Sequence, residues 1–167
     1  VGAAAFPSTI CVGDYSELRA TGTGGTTNYT YLWTSEPPGF TTELEDPTVY
    51  PTVTTTYTVT IFDGFNYAFS NVTVNVDPLP VAYAGANDTI PHGTSLTLHG
   101  MGSGGSGNYN YTWEPADLLI NANTQNPATK NLYEPASFKL TVKDLGTDCI
   151  SFKDTVRIML SGGPLGL

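Results

Sequence analysis

The sequence predicts an all-β protein made of two tandem sandwich domains, and three observations carry that reading. Only 13% of the 167 residues are charged, while Thr, Gly, Tyr, Val and Pro are abundant. β-Branched and aromatic side chains suit a pleated, half-buried surface, and Gly and Pro supply its turns. No stretch repeats apolar residues at helical spacing, whereas several short runs alternate apolar and polar residues with a period of two. Finally, the chain repeats itself.

The repeat emerges when the sequence is slid by 80 positions. Gly22-Thr-Gly24-Gly25-Thr-Thr-Asn28-Tyr29-Thr-Tyr31-Leu-Trp33 then lies over Gly102-Ser-Gly104-Gly105-Ser-Gly-Asn108-Tyr109-Asn-Tyr111-Thr-Trp113. At the same offset Thr9-Ile10 meets Thr89-Ile90, Gly13 meets Gly93, Leu18 meets Leu98 and Asp46-Pro47 meets Asn126-Pro127. After a one-residue insertion, Tyr57-Thr-Val59-Thr-Ile61-Phe-Asp63 lies over Phe138-Lys-Leu140-Thr-Val142-Lys-Asp144. Each unit of about 80 residues is enough for a seven-stranded sandwich. The domains are set at residues 1–78 and 79–161, with 162–167 as a linker or tail. Two prolines in Asp77-Pro78-Leu79-Pro80 stiffen the junction and favour an extended path.

Strands are expected in order at Glu17–Ala20, Tyr29–Trp33, Thr56–Phe62 and Val72–Val76. In the second unit they are expected at Ser95–His99, Tyr109–Trp113, Phe138–Lys143 and Val156–Leu160. Such short strands between Gly, Pro and Asn turns imply two facing sheets. The candidate core is Leu18, Trp33, Tyr57 and Val59 in the first unit, and Leu98, Trp113, Phe138 and Leu140 in the second. The longest uncharged runs are Thr-rich and broken by Gly or Pro, so membrane insertion is not expected. The start of the chain lacks a charged segment followed by an apolar one, so a signal peptide is expected to have been removed or to lie outside this sequence.

The net charge of −9 argues against nucleic acid as a partner, because phosphate neutralisation needs clustered Lys and Arg. The charge is uneven: residues 1–78 carry −7 with Arg19 as their one basic side chain, and residues 79–167 carry −2. Two cysteines, Cys11 and Cys149, are too few for a disulfide scaffold or a tetrahedral zinc site.

Few residues suggest chemistry, and no catalytic, cofactor-binding or metal-binding residue is assigned. His92 and His99 have neither HxH nor HxxxH spacing and are read as exposed or structural. No GxSxG elbow is present for nucleophilic catalysis. The glycine stretches Gly22–Gly25 and Gly102–Gly107 lack the Lys-Ser/Thr ending of a phosphate loop and precede a strand, so they are read as plain turns. Glu43-Leu-Glu45-Asp46 is the densest acidic run, but its spacing fits no calcium loop and it is read as solvated. Tyr29 and Tyr31 are expected not to face the core together, which makes Tyr29 and Tyr109 the candidate ligand contacts, glycans being the ligand class. Phe40, Tyr50, Phe65, Tyr67 and Phe69 are expected to cap the ends of the sandwich. Asn28, Asn71, Asn87 and Asn110 each begin an Asn-x-Thr sequon.

Taken together, Ala84-Gly85-Ala-Asn-Asp88-Thr89-Ile90, Tyr109-Asn-Tyr111-Thr-Trp113, Asn126-Pro127-Ala128 and Asp154-Thr155-Val156 resemble the immunoglobulin-like PKD repeats common in secreted and cell-surface proteins of Bacteroidota. In the first unit Cys11-Val-Gly13-Asp14, Asp46-Pro47-Thr48 and Thr54-Thr-Thr-Tyr57 carry the same resemblance. The resemblance implies immunoglobulin-like sandwiches in which Leu18 with Val59, and Leu98 with Leu140, stand where antibody domains place a disulfide. In related repeats one Cys sits before the strand-B glycine and another after the F–G turn; each unit here keeps one of the two. The resemblance therefore implies an interdomain disulfide, Cys11–Cys149. It also makes Thr89 and Thr155, in Asp-Thr-apolar triplets, candidate O-glycosylation sites.

The expected function is a non-catalytic, extracellular structural or spacer module of a larger secreted or surface protein. Its partners would be neighbouring domains of that protein or other surface proteins. The alternatives are an adhesive or filament-forming surface protein, and a carbohydrate-binding accessory of a secreted polysaccharide-degrading enzyme.

Overall fold

A computed structural model describes residues 1–26 and 28–163. The expected tail at residues 162–167 lies outside the described residues from 164 onward. The chain divides into one unit spanning Val1–Asp77 and a second beginning at Pro78. Among the described residues no helix is long and apolar enough to cross a membrane.

The first unit contains β1 (Gly2–Phe6), β2 (Thr9–Cys11), β3 (Ser16–Thr21), β4 (Thr30–Glu36), β5 (Thr41–Thr42), β6 (Thr48–Val49), β7 (Thr55–Phe62) and β8 (Tyr67–Asp77). Three of these strands form one sheet in the order β1-β3-β6, and the other five form a second in the order β2-β8-β7-β4-β5. The first strand region is shared between the sheets: β1 pairs antiparallel with β3, and β2 crosses over to run parallel with β8. Alternation is clean where both faces matter. On β7, Tyr57, Val59 and Ile61 point inward between outward-facing Thr56, Thr58 and Thr60. This is an immunoglobulin-like sandwich.

The second unit repeats the plan with β9 (Val81–Tyr83), β10 (Asp88–Pro91), β11 (Met101–Ser103), β12 (Tyr109–Glu114), β13 (Leu119–Ile120), β14 (Ala128–Thr129), β15 (Ala136–Asp144) and β16 (Asp154–Ser161). Its larger sheet has the order β10-β16-β15-β12. A single 3₁₀ turn at Ala116–Leu118 follows β12.

One expected strand does not form. Ser95–His99 makes one isolated bridge, Thr97 to Ala128, because the chain that would flank it turns away. Gly85 takes a left-handed φ of 91° and leads the backbone from β9 into β10, which pairs with β16. The segment is then held by single bonds, such as Leu98 N–H to the Pro127 carbonyl at 2.9 Å. In the opposite direction, β8 begins five residues earlier than expected, at Tyr67 instead of Val72.

Each unit closes on its own core. Trp33 and Trp113 are 0% and 1% exposed, and Leu18, Tyr57, Val59, Leu98, Phe138 and Leu140 are all buried. The ladder places Trp33 opposite Val59 and Trp113 opposite Leu140. Each indole N–H reaches a backbone carbonyl beyond the sheet edge, Glu45 at 3.1 Å and Thr124 at 3.2 Å. The ring is thus buried with its one polar group satisfied. Trp33→Ala or Trp113→Ala should therefore destabilise its unit by about 3–5 kcal/mol, read as a lowered midpoint in urea denaturation.

Candidate functional site

The glycine-rich loops and the tyrosines that follow them form one device, built twice. In the second unit, β12 pairs with β15 so that Tyr109 stands opposite Asp144 on the inward face. The Tyr109 hydroxyl donates to the Gly104 carbonyl, and its ring lies against Gly102, where an added Cβ would come within 2.8 Å of the ring. Asp144 is fully buried. Its carboxylate accepts the Ser106 N–H at 2.7 Å, the Gly146 N–H at 2.8 Å and the Ser106 hydroxyl. Gly105 has φ 63°, and a Cβ there would lie 1.8 Å from Asp144 Oδ2. Only glycine fits.

The first unit uses the same parts. Tyr29 donates to the Gly24 carbonyl at 2.5 Å, and its ring covers Gly22. Asp63 accepts the Phe65 N–H at 2.9 Å and the Asn66 N–H at 2.7 Å, and a Cβ on Gly25 would meet its Oδ2 at 2.1 Å. Bonds from the Asn66 and Phe65 amides hold the Asp63 carboxyl below the usual range. Bonds from the Ser106 hydroxyl and amide, joined by Gly146 and Thr147, pull Asp144 down to about 2.

The hydroxyls of Tyr29 and Tyr109, the candidate ligand contacts, thus bond to carbonyls of their own loops. Tyr29 and Tyr31 share a face after all, because residues two apart in a strand point the same way, and both are half-buried against the core. The Tyr31 hydroxyl donates to Glu45 Oε1 at 2.9 Å; burial, then the Glu45 bond and charge, push its pKa up to about 12. Asp46 accepts the Ala20 N–H at 3.2 Å. The acidic run Glu43–Asp46 therefore ties strands together. Among the described residues no group of three His, Cys, Asp or Glu is placed to hold a metal ion.

His92 packs edge-on against Tyr133 with ring centroids 5.4 Å apart, and His99 is exposed. Thr89 and Thr155 are both exposed on strands, and their preceding aspartates bind backbone: Asp88 accepts Thr89 N–H, and Asp154 accepts Ala84 N–H, each at 2.7 Å. Cys11 ends β2 half-buried, and Cys149 is buried after the turn that follows β15.

The expected aromatic caps are mostly not caps. Phe40 alone packs inward, edge-on to Tyr57 at 5.5 Å. Tyr50, Phe65, Tyr67 and Phe69 are 68–79% exposed. Tyr67 and Phe69 lie on the early part of β8 and point outward, on rungs with Phe62 and Thr60 of β7 and Thr30 and Leu32 of β4. Phe62 and Tyr67 stack with centroids 4.4 Å apart, and with Leu32 and Glu43 they line a cleft of about 490 Å³ on this outer face. Sequence reasoning missed this surface. The alternation Tyr67-Ala68-Phe69-Ser70 was the signal that would have extended the strand and faced both rings outward.

No protein-family model matches the chain, and no curated protein matches it. Several solved structures are similar to it at low identity. The three N-terminal domains of the bacteriophage RB49 highly immunogenic outer capsid protein are 19% identical, with a TM-score of 0.47, over 95% of this chain and 57% of that one. The eight N-terminal Ig domains of Down syndrome cell adhesion molecule are 11% identical, with a TM-score of 0.49, over 97% of this chain and 24% of that one. A chimeric titin Z1Z2–Z1Z2 tandem is 11% identical, with a TM-score of 0.41, over 92% of this chain and 94% of that one.

The Asp144 lock has a pH signature. Its carboxyl titrates near 2 when folded, against 3.8 as a free side chain, so its contribution is complete above pH 4 and disappears as pH falls toward 2. In acid titration of unfolding free energy, Asp144→Asn should lower stability at pH 7 and flatten the loss between about pH 4 and pH 2. An unchanged acid slope in the variant would show that Asp144 does not carry it.

Proposed function

We propose that the chain is a non-catalytic, extracellular structural module, a pair of PKD-type spacer domains of a larger secreted or surface protein of the kind found in Bacteroidota. The observation that carries this reading is the twice-built loop lock. Binding sites on sandwiches usually reside in loops at one pole, held on a rigid scaffold. Here the loop of Gly22–Gly25 is closed from within by Tyr29, and that of Gly102–Gly107 by Tyr109 with Asp144. Their polar groups face the domain's own backbone. A part shaped this way transmits position and resists cleavage.

The two cysteines support the same reading. The proposal includes a disulfide between Cys11 and Cys149, which would restrain the two units relative to each other as a spacer requires. Thr89 and Thr155 are exposed acceptors for O-glycosylation in this proposal, and partners are neighbouring domains of the parent protein. A second reading, an adhesive or self-assembling surface protein, is favoured by one observation: the aromatic outer face of the first unit.

Limited proteolysis tests the locked loops. The folded chain should resist cleavage at both glycine stretches, and early cuts there would replace the spacer reading with one of mobile binding loops. Saturable binding to a neutral polysaccharide that Tyr109→Phe abolishes without loss of stability would restore the glycan reading. Intact mass after alkylation without reductant should show no added label; two labelled thiols would remove the disulfide from the proposal.

A further inference from the structure

The duplication supplies an internal control for every surface residue. Register aligns the two large sheets: Tyr57 opposite Val72 in the first unit corresponds to Phe138 opposite Val156 in the second. Inward positions keep their character. Outward positions do not. Counting along the strands from these anchors, Phe62 falls where the second unit has Lys143, and the Phe69 position falls just before β16, in a segment that holds both exposed Phe152 and Lys153. Likewise Thr58 corresponds to Lys139, Thr73 to Arg157, and Leu32 to Thr112. The sandwich therefore folds with either set on its outer face. The aromatic rings are not there for the fold.

The two faces are complementary in chemistry. The outer face of the first unit offers Phe62, Tyr67 and Phe69 with Glu36 and Glu43 at its margin and no cation. That unit's one basic residue, Arg19, lies in the other sheet over the Phe6 ring at 5.5 Å. The same face of the second unit carries Lys139, Lys143, Lys153 and Arg157. Lys143 and Lys153 are partly neutralised by Asp148 and Glu114 at 2.8 and 2.7 Å, while Lys139 and Arg157 have no ion pair among the described residues. Aromatic faces attract Lys and Arg directly, and carboxylates beside them add to that attraction. A large exposed aromatic patch on an otherwise polar surface marks an interaction site.

We infer that the aromatic sheet face of the first unit binds the basic sheet face of the second unit of another copy of the chain. Because the two surfaces differ, the contact is heterologous. This rests on the reading of the chain as a structural module and gives that module a means of self-association.

Sedimentation equilibrium of the full chain against concentration tests it. Mass should rise with concentration and the rise should weaken with added salt. Phe62→Lys, the residue the second unit already holds there, with Phe69→Lys should weaken association by about tenfold or more. Lys139→Glu with Arg157→Glu, on the sheet face of the second unit, should do the same. Near-UV circular dichroism confirms that each variant is folded. A chain that stays monomeric at every concentration overturns the inference while leaving the structural-module reading standing. So does association that survives both pairs of substitutions, or binding of a neutral glycan at Phe62 and Tyr67 without self-association. Protease-labile glycine loops would instead remove the module reading itself.

Discussion

Everything in each unit depends on burying one indole between two sheets. Trp33 and Trp113 stand opposite Val59 and Leu140, and almost no part of either ring meets solvent. The ring fixes the distance between the sheets. Its N–H fixes something else, because it bonds to a carbonyl in the long connection beyond the sheet edge. One side chain thereby joins core, sheet and crossover. Antibody domains reinforce this place with a disulfide between the sheets. Here Leu18 with Val59, and Leu98 with Leu140, fill it with aliphatic groups, so packing alone must hold the sheets together.

Polar chemistry in this protein serves the same end at the pole of each sandwich. A buried carboxylate is costly unless its oxygens are satisfied. Asp144 meets that demand with amide and hydroxyl donors from two loops, without a cation. The glycines are what let those donors approach, since a side chain at Gly25 or Gly105 would collide with the carboxylate. The tyrosine bond recurs in both units, but Asp63 accepts the amides of its own turn, whereas Asp144 also accepts donors of the glycine loop.

Duplication also separates what folding requires from what it permits. Inward residues pair off with like residues across the repeat, Tyr57 with Phe138 and Val59 with Leu140. Several outward residues have diverged, Phe62 to Lys143, Thr58 to Lys139 and Thr73 to Arg157 among them. The core constrains volume and polarity tightly, whereas the outer face of a sheet answers only to solvent and partners. Divergence confined to one face is how a duplicated domain acquires a surface of its own.

By itself the sequence determined the all-β class, the repeat and the inward-facing residues, because strand alternation and an 80-residue self-match are local, readable patterns. It also placed Leu18, Trp33, Tyr57 and Val59, with their counterparts, on the inner faces that the structure shows buried. What it left open were matters of pairing. Ser95–His99 alternates like a strand but lost its ladder when Gly85 turned the neighbouring chain away. Tyr67 and Phe69 looked like loop residues until β8 was seen to pair with β7 as far as Phe62. The bonds from Tyr29 and Tyr109 to Gly24 and Gly104 were likewise unreadable, because nothing along the chain reveals which carbonyl a hydroxyl will reach. Alternation tells which way a side chain points, but only the assembled sheets decide what it meets there.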